Sequence, residues 1–289
     1  MRISSFNHMI INLFSVFLVA GMLTPGYANV EIEEWRKDDN WRKGKSEKVW
    51  IENLKPAMFA DKKIIEDIGQ SVLEIKAPIR AEDATIVPIS IHTKFQQTKQ
   101  RYIKKITVLI DKNPVPLVGE FVFGPASGKA DLAMRLRIDD FTYVRAIAEL
   151  NNGEYFMAKT FVRAKGACSA PPPKSAAESL RLMGKMKIKT FGELIFGKPN
   201  LVQLKILHPN VTGLAYDPVY NSRPPPHYLQ SFNVKFNDEL IMKANITFAI
   251  SQDPAFRFYF KPEKDGTITI EALDTKQNSW SASHNVVGS

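Results

Sequence analysis

The tripeptide Asn151-Asn152-Gly153 sits between two runs rich in alternating apolar residues, 143–150 and 155–163. Asn-Gly accepts the positive backbone dihedrals that a tight hairpin turn demands, so the stretch reads as a β-hairpin. The same pattern extends in both directions. Strand-like runs at 72–75, 84–92, 103–111, 121–123 and 131–138 precede the hairpin, broken by Asn113-Pro114, Gly124-Pro125 and Ser127-Gly128. A second series lies at 201–207, 228–236, 239–247, 255–260, 267–273 and 279–283, with turns at Asn237-Asp238 and Lys264-Asp265-Gly266. Many short strands at regular spacing argue for antiparallel β-sandwiches of immunoglobulin-like type. The expectation is an all-β chain of two such domains, 29–164 and 190–289, joined by a flexible Pro/Ala-rich linker at 165–189. Little helix is expected. Ile64, Ile65 and Ile68 at helical spacing predict a short helix over 59–70, capped by Asp61 and stopped by Gly69. Leu180, Leu182 and Met183 give a second candidate over 175–186. The segment 30–53, with Trp35, Trp41 and Trp50, is expected to be peripheral and to dock by its aromatics.

The first 28 residues read as a secretory signal peptide. Arg2 is the only charge, an apolar run covers 9–23, and Gly26-Tyr27-Ala28 places small residues where a signal peptidase inspects the chain. The run is short for a membrane span and ends in Thr-Pro-Gly. Cleavage after Ala28 and an exported, periplasmic location are expected, with no stable membrane insertion afterwards. Removing Arg2 lowers the net charge from +9 to +8. The basic excess is shared: 24 basic against 20 acidic residues in 29–167, and 14 against 10 in 168–289. That distribution disfavours a nucleic-acid-binding arm. One local basic run without an acid, 181–189, is a solvated face or a docking patch for an acidic partner.

The residues for catalysis are missing from the pattern. His92, His208, His227 and His284 are scattered without metal-ligand spacing, and each is read as structural; no metal or cofactor is expected. No Gly-rich phosphate loop, nucleophile elbow or His-Glu metalloprotease motif occurs. The pairs Glu82-Asp83 and Asp139-Asp140 are read as exposed turn carboxylates. A binding or carrier protein is favoured over an enzyme.

Cys168 is the only cysteine in 289 residues. Exported proteins normally pair their cysteines or avoid them, so a lone thiol is modified, joined to another molecule, or kept for chemistry. Gly166, Ala167, Ser169 and Ala170 flank it, and prolines fill 171–173. Neighbours this small are poor core builders, and Cys168 is expected to be exposed on a mobile segment. An incidental linker thiol remains the alternative.

The order of motifs resembles a known pair of proteins. The run APIRAEDATIVPISI at 77–91, IDKNP at 110–114, VRA at 144–146 and a last strand entering a Gly/Ala-Cys segment are similar to SoxY, the periplasmic sulfur carrier of bacterial thiosulfate oxidation. His208-Pro209, Pro226-His227-Tyr228-Leu229 and ISQDPAF at 250–256 resemble its partner SoxZ. Both in one chain resemble the fused SoxYZ-like carriers associated with quinoprotein dehydrogenases. The resemblance implies a non-catalytic carrier that binds sulfur intermediates covalently through Cys168, on an arm of Lys165, Gly166, Ala167, Ser169 and Ala170. It implies periplasmic redox or sulfur-processing enzymes, a quinoprotein dehydrogenase among them, as partners. The usual arm ends the chain as Gly-Gly-Cys-Gly-Gly; here the segment reads Lys-Gly-Ala-Cys-Ser-Ala and the chain continues, so the thiol is tethered on both sides. The alternative is an accessory or assembly factor for a periplasmic dehydrogenase, with a non-essential cysteine.

Overall fold

The computed structural model describes residues 39–95, 97–170, 176–217 and 221–288. The expected signal peptide and Trp35 lie outside them. The described part begins with helix α1 (Asp39–Val49), a π-helical turn (Trp50–Leu54) and helix α2 (Lys55–Phe59). Strands follow in chain order: β1 (Ile64–Glu66), β2 (Leu73–Lys76), β3 (Val87–Thr93), β4 (Ile103–Ile110), β5 (Leu117–Phe123), β6 (Leu132–Leu136), β7 (Thr142–Leu150) and β8 (Tyr155–Val162). After helix α3 (Ala176–Arg181) come β9 (Met186–Thr190), β10 (Asn200–Ile206), β11 (Leu229–Phe236), β12 (Glu239–Ile246), β13 (Ala255–Phe260), β14 (Gly266–Asp274) and β15 (Ser279–Val286).

These strands form two sheets, and each sheet contains strands from both halves of the chain. The larger runs β1-β8-β7-β4-β5-β12-β11-β14-β15 and the smaller β2-β3-β6-β13-β10-β9. All pairs between these strands are antiparallel except β1–β8. The halves meet edge to edge: β5 pairs with β12 from Gly119↔Ile246 to Phe123↔Met242, and β6 pairs with β13 at Leu132↔Phe258 and Ala133↔Arg257. One apolar core lies between the sheets and runs through the joint. Phe121 and Phe232, one from each half, both pack on Phe256, with ring centroids 6.2 and 4.6 Å away. Alternation of burial along β3 and β10 shows the period-2 pattern of strands with one face on this core.

β7 is buried on both faces because α1 covers its outer side. Arg145, wholly buried, donates to Asp111 at 2.8 Å and to Glu47 of α1 at 2.9 Å. Ser46 of α1 donates to the same Asp111 at 2.8 Å and accepts from the Tyr143 amide. The guanidinium also lies 4.8 Å from the Trp50 ring. A second apolar cluster of Trp50, Phe59, Leu109, Ile147 and Met157 fills the space beneath. A buried ion pair with its hydrogen bonds satisfied specifies position more than it adds stability. Here it fixes where α1 sits.

The helix predicted over 59–70 is corrected: helix ends at Phe59, and Ile64–Glu66 is a strand running parallel to β8 at Tyr155–Met157. Ile64 and Ile65 also fit a short edge strand, with Ile68 exposed beyond its end, and an unpaired edge of β8 was available to it. Trp50 is 3% exposed and docks as expected, whereas Trp41 is 40% exposed. Within the stretch read as linker, 176–181 is helix and β9 adds to the sheet edge beside β10.

Gly119 and Gly124 let the two halves close. A Cβ on Gly124 would overlap the Leu240 carbonyl, and one on Gly119 would stand 2.7 Å from the Asn245 carbonyl oxygen. Gly124→Ala is expected to destabilise the whole chain by about 1–3 kcal/mol through this overlap. In thermal melts both the far-UV circular dichroism and the fluorescence of the four tryptophans, Trp35, Trp41 and Trp50 before the joint and Trp280 after it, should shift down together. A melt in which one signal moves and the other stays would contradict the shared core.

Candidate functional site

Where β8 ends, the chain crosses the joint between the halves, and Cys168 lies there. Gly166 takes a left-handed φ of +81° and donates its amide to the Asp139 carbonyl at 2.9 Å. That turn brings the Cys168 amide to Asp139 Oδ1 at 2.8 Å. On the far side, Thr212 Oγ1 donates to the Cys168 carbonyl at 2.7 Å and accepts the Leu214 amide. Cys168 is thus held on its N-terminal side by the first half and on its C-terminal side by the second. Lys165, Gly166 and Ser169 are exposed, Ala170 is half-buried, and Ala167 is buried.

The expectation of an exposed thiol is corrected. Cys168 is 1% exposed. Small flanking residues allow close packing as readily as they allow motion, and Ala164 and Ala167 are buried with it. Burial, then the nearby charge of Asp139, pushes the thiol up to about 12, against a smaller opposing pull from Arg137. Relative to its ordinary value of 9.0, that leaves roughly a thousandfold less thiolate at neutral pH. Lys165 is not among the charges that act on the thiol. In this docked position Cys168 is shielded and unreactive.

Residues 137–139 organise the surroundings. The Asp139 amide donates to Asn113 Oδ1 at 2.9 Å, and Asn113 Nδ2 donates to the Arg137 carbonyl. Arg137 Nη1 crosses the joint to the carbonyls of Phe248 and Ile250, at 2.9 and 2.7 Å. Asn210 Nδ2 donates to Ile250 as well. Sequence reading passed over Asp139 as a turn carboxylate and over Arg137 altogether. Two charges at alternate positions at the end of a strand were the available signal.

A second polar cluster joins residues that are 66 positions apart at the extremes. His208, His227 and Asp274 are buried, and their facing ligand atoms lie within 4.8 Å of one another. Asp274 Oδ2 accepts from His227 Nε2 at 2.6 Å and from Asn278 Nδ2 at 2.9 Å, while Oδ1 accepts the amides of Lys276 and Asn278. His208 Nδ1 accepts the Asn210 amide at 3.0 Å, so in the neutral ring Nε2 carries the proton and points to Asp274 at 3.5 Å. A metal at that Nε2 would require an imidazolate, and Asp274 is already saturated with donors. The donor set fits a structural pin better than a metal centre. His92 pairs with Asp131 at 3.2 Å, and His284 lies on β15.

Burial, together with the charge of His227, holds His208 down at about 4. Burial pushes Asp274 up, but the bonds from Asn278 and His227 outweigh it and hold the carboxyl at about 2. The folded state favours neutral His208, so that stabilisation is full above pH 6.5 and is lost as pH falls towards 4. It amounts to about 3 kcal/mol, and Asp274 adds a further loss between 3.8 and 2. His208→Asn should lower the urea midpoint at pH 7 yet fall less than wild type between pH 7 and 4.5. Parallel pH profiles would remove His208 as the source.

Residues 55–168 match the family described as sulfur oxidation protein SoxY, and residues 192–285 match sulphur oxidation protein SoxZ. No curated protein matches the chain. Among solved structures, superoxide reductase (neelaredoxin) from Ignicoccus hospitalis is 15% identical, covering 35% of this chain and 94% of that one at a TM-score of 0.31. A superoxide reductase of Thermotoga maritima is 15% identical, covering 36% and 95% at 0.32. Red sea bream transglutaminase is 12% identical, covering 75% of this chain and 31% of its own at 0.26. The two family matches lie end to end along one polypeptide whose strands share both sheets, and the chain is a fused SoxYZ-like protein.

Proposed function

We propose that the chain is a periplasmic carrier that holds sulfur-containing intermediates covalently on Cys168 and presents them to partner enzymes. The observation that carries this reading is where the SoxY match stops: at residue 168, the sole cysteine. Family membership supports the broader role of a sulfur-compound carrier, generally non-catalytic, that works with sulfur-oxidation enzymes in a system typical of the periplasm. No helix among the described residues is long and apolar enough to cross a membrane.

The burial of Cys168 makes this carrier gated. Loading needs the segment to leave its docked position, which breaks the Gly166–Asp139, Cys168–Asp139 and Thr212–Cys168 hydrogen bonds. Three net hydrogen bonds and one small apolar side chain put the opening on the order of 3–5 kcal/mol. Gly166 has open space around it and is the natural hinge. Once undocked, the thiol regains ordinary acidity. A Cys168 thiolate that displaces a leaving group from an oxidised sulfur forms one S–S bond. The thiol proton goes to solvent, and the leaving group departs with the electron pair of the broken bond.

The burial also favours a second reading, an accessory or assembly factor that binds a periplasmic quinoprotein dehydrogenase, with a cysteine that serves packing alone. Intact mass of the protein isolated from its own host separates the two. The carrier reading expects sulfur-mass adducts on wild type, none on Cys168→Ser, and loss of the host's sulfur-dependent function in that variant. An unmodified thiol under every growth condition, with full function in Cys168→Ser, would establish the second reading instead.

A further inference from the structure

Charge is divided unequally between the two sheets. The strands of the larger sheet carry six acids and six lysines or arginines. In the smaller sheet β3, β6, β13, β10 and β9 are consecutive neighbours and contain no Asp or Glu. They contain Arg135, Arg257, Lys205, Lys187 and Lys189, and the register puts all five on the outward face, opposite the buried Val202, Leu204 and Phe256. Asp253 reaches Lys205 at 3.9 Å, and Glu74 pairs with Lys76 and Lys94 at the far end of the sheet. Among the described residues no carboxylate lies within ion-pair distance of Arg135, Arg257, Lys187 or Lys189. Arg135 Nη2 donates to the Asp253 carbonyl at 3.2 Å and Arg257 Nε to Gln203 Oε1 at 3.0 Å, which satisfies donors without cancelling charge.

Protection of an open sheet edge accounts for the lysines of β9. It does not account for Arg135 and Arg257, which sit on strands with neighbours on both sides. Nor does it account for Lys205 directly across from Lys187, a like-charge pair that weakens the ladder. The cations surround a shallow trough floored by the short side chains of Ser90, Ala133 and Ala255, and the trough straddles the β6–β13 seam. Phe191 lies at its rim, its ring 4.9 Å from the Lys189 ammonium and 5.5 Å from the Arg257 guanidinium. Asp139, which holds the Cys168 amide, follows Arg135 by four residues and so lies no more than about 14 Å from it.

We propose that this face is the docking surface for an acidic protein, whose Asp and Glu side chains enter the trough and pair with Arg135 and Arg257. The guanidinium fork matches a carboxylate, and arginine among aromatic neighbours is a composition that protein interfaces favour. Strands of both halves build the face, so only the joined halves present it. The inference names the partner's chemistry for either reading of the function and does not depend on what Cys168 carries. Its failure would leave the adduct measurement on Cys168 untouched.

The test is binding of a fluorescent poly-glutamate peptide to the full-length chain, read by anisotropy at rising salt. Wild type should bind, and more weakly as salt rises. The double variant Arg135→Gln with Arg257→Gln should bind about tenfold more weakly, the effect of two surface charge contacts, at an unchanged melting temperature. Arg135→Lys with Arg257→Lys should keep most of the affinity. Lys243→Gln with Lys264→Gln removes the same net charge from exposed positions elsewhere and should change binding little. Equal losses in the two charge-matched Gln pairs would mean that the peptide reads net charge alone, and would overturn the proposal. Absence of binding by wild type at low salt would overturn it too. So would tighter binding of an oligonucleotide of equal charge, or of phosphatidylglycerol vesicles, that depends on Arg135 and Arg257, since the face would then recognise phosphate.

Discussion

The pairing of β5 with β12 governs most of what this molecule is. With the β6–β13 pair it turns two sandwiches into one, because each sheet continues through the joint and the core continues with it. Thr247 tightens the same seam by donating to the Leu117 carbonyl at 2.6 Å. Two domains linked only by a tether would place a connecting cysteine in solvent. Two domains fused by a sheet create a joint that the connecting chain must cross, and the cysteine falls into it.

Polar pins then set the details around that frame. Arg145 with Asp111 and Glu47 seats α1 on the outer face of the larger sheet. His208, His227 and Asp274 lock the long connection between β10 and β11 onto the end of β14. The reciprocal pairing of Val211 with His227 holds the same connection, and Thr212, the next residue, reaches Cys168. The Cys168 segment is thus fastened to the connection that this cluster pins. Buried networks of this kind define one geometry because each member left unpaired would be costly.

Much of the strand inventory was legible in the sequence because alternation and turn residues are local. The hairpin at Asn151-Asn152-Gly153 joins β7 to β8 as its turn chemistry requires. What escaped was non-local. Helix α1 contains Gly44 and mostly polar residues, and it is held by contacts to Asp111 and Arg145 that no local pattern announces. β9 looked like linker since Lys187 and Lys189 alternate along its five residues; as an edge strand, lysines suit it. The site was half legible. A lone cysteine beside Gly166 marked the place, but its burial depends on Asp139 and on Thr212, which lies 44 residues away.

If Cys168 is the attachment point, it must open locally, by release from Asp139 and Thr212, without unfolding the sandwich. Native-state labelling of the thiol across a urea series reads this directly. Local release predicts a labelling free energy well below that of global unfolding and nearly independent of urea at low concentration, the mark of a small local opening. A labelling free energy equal to that of global unfolding, with the same urea dependence, would mean that the thiol is released only when the fold is lost, and the protein could not deliver cargo on Cys168.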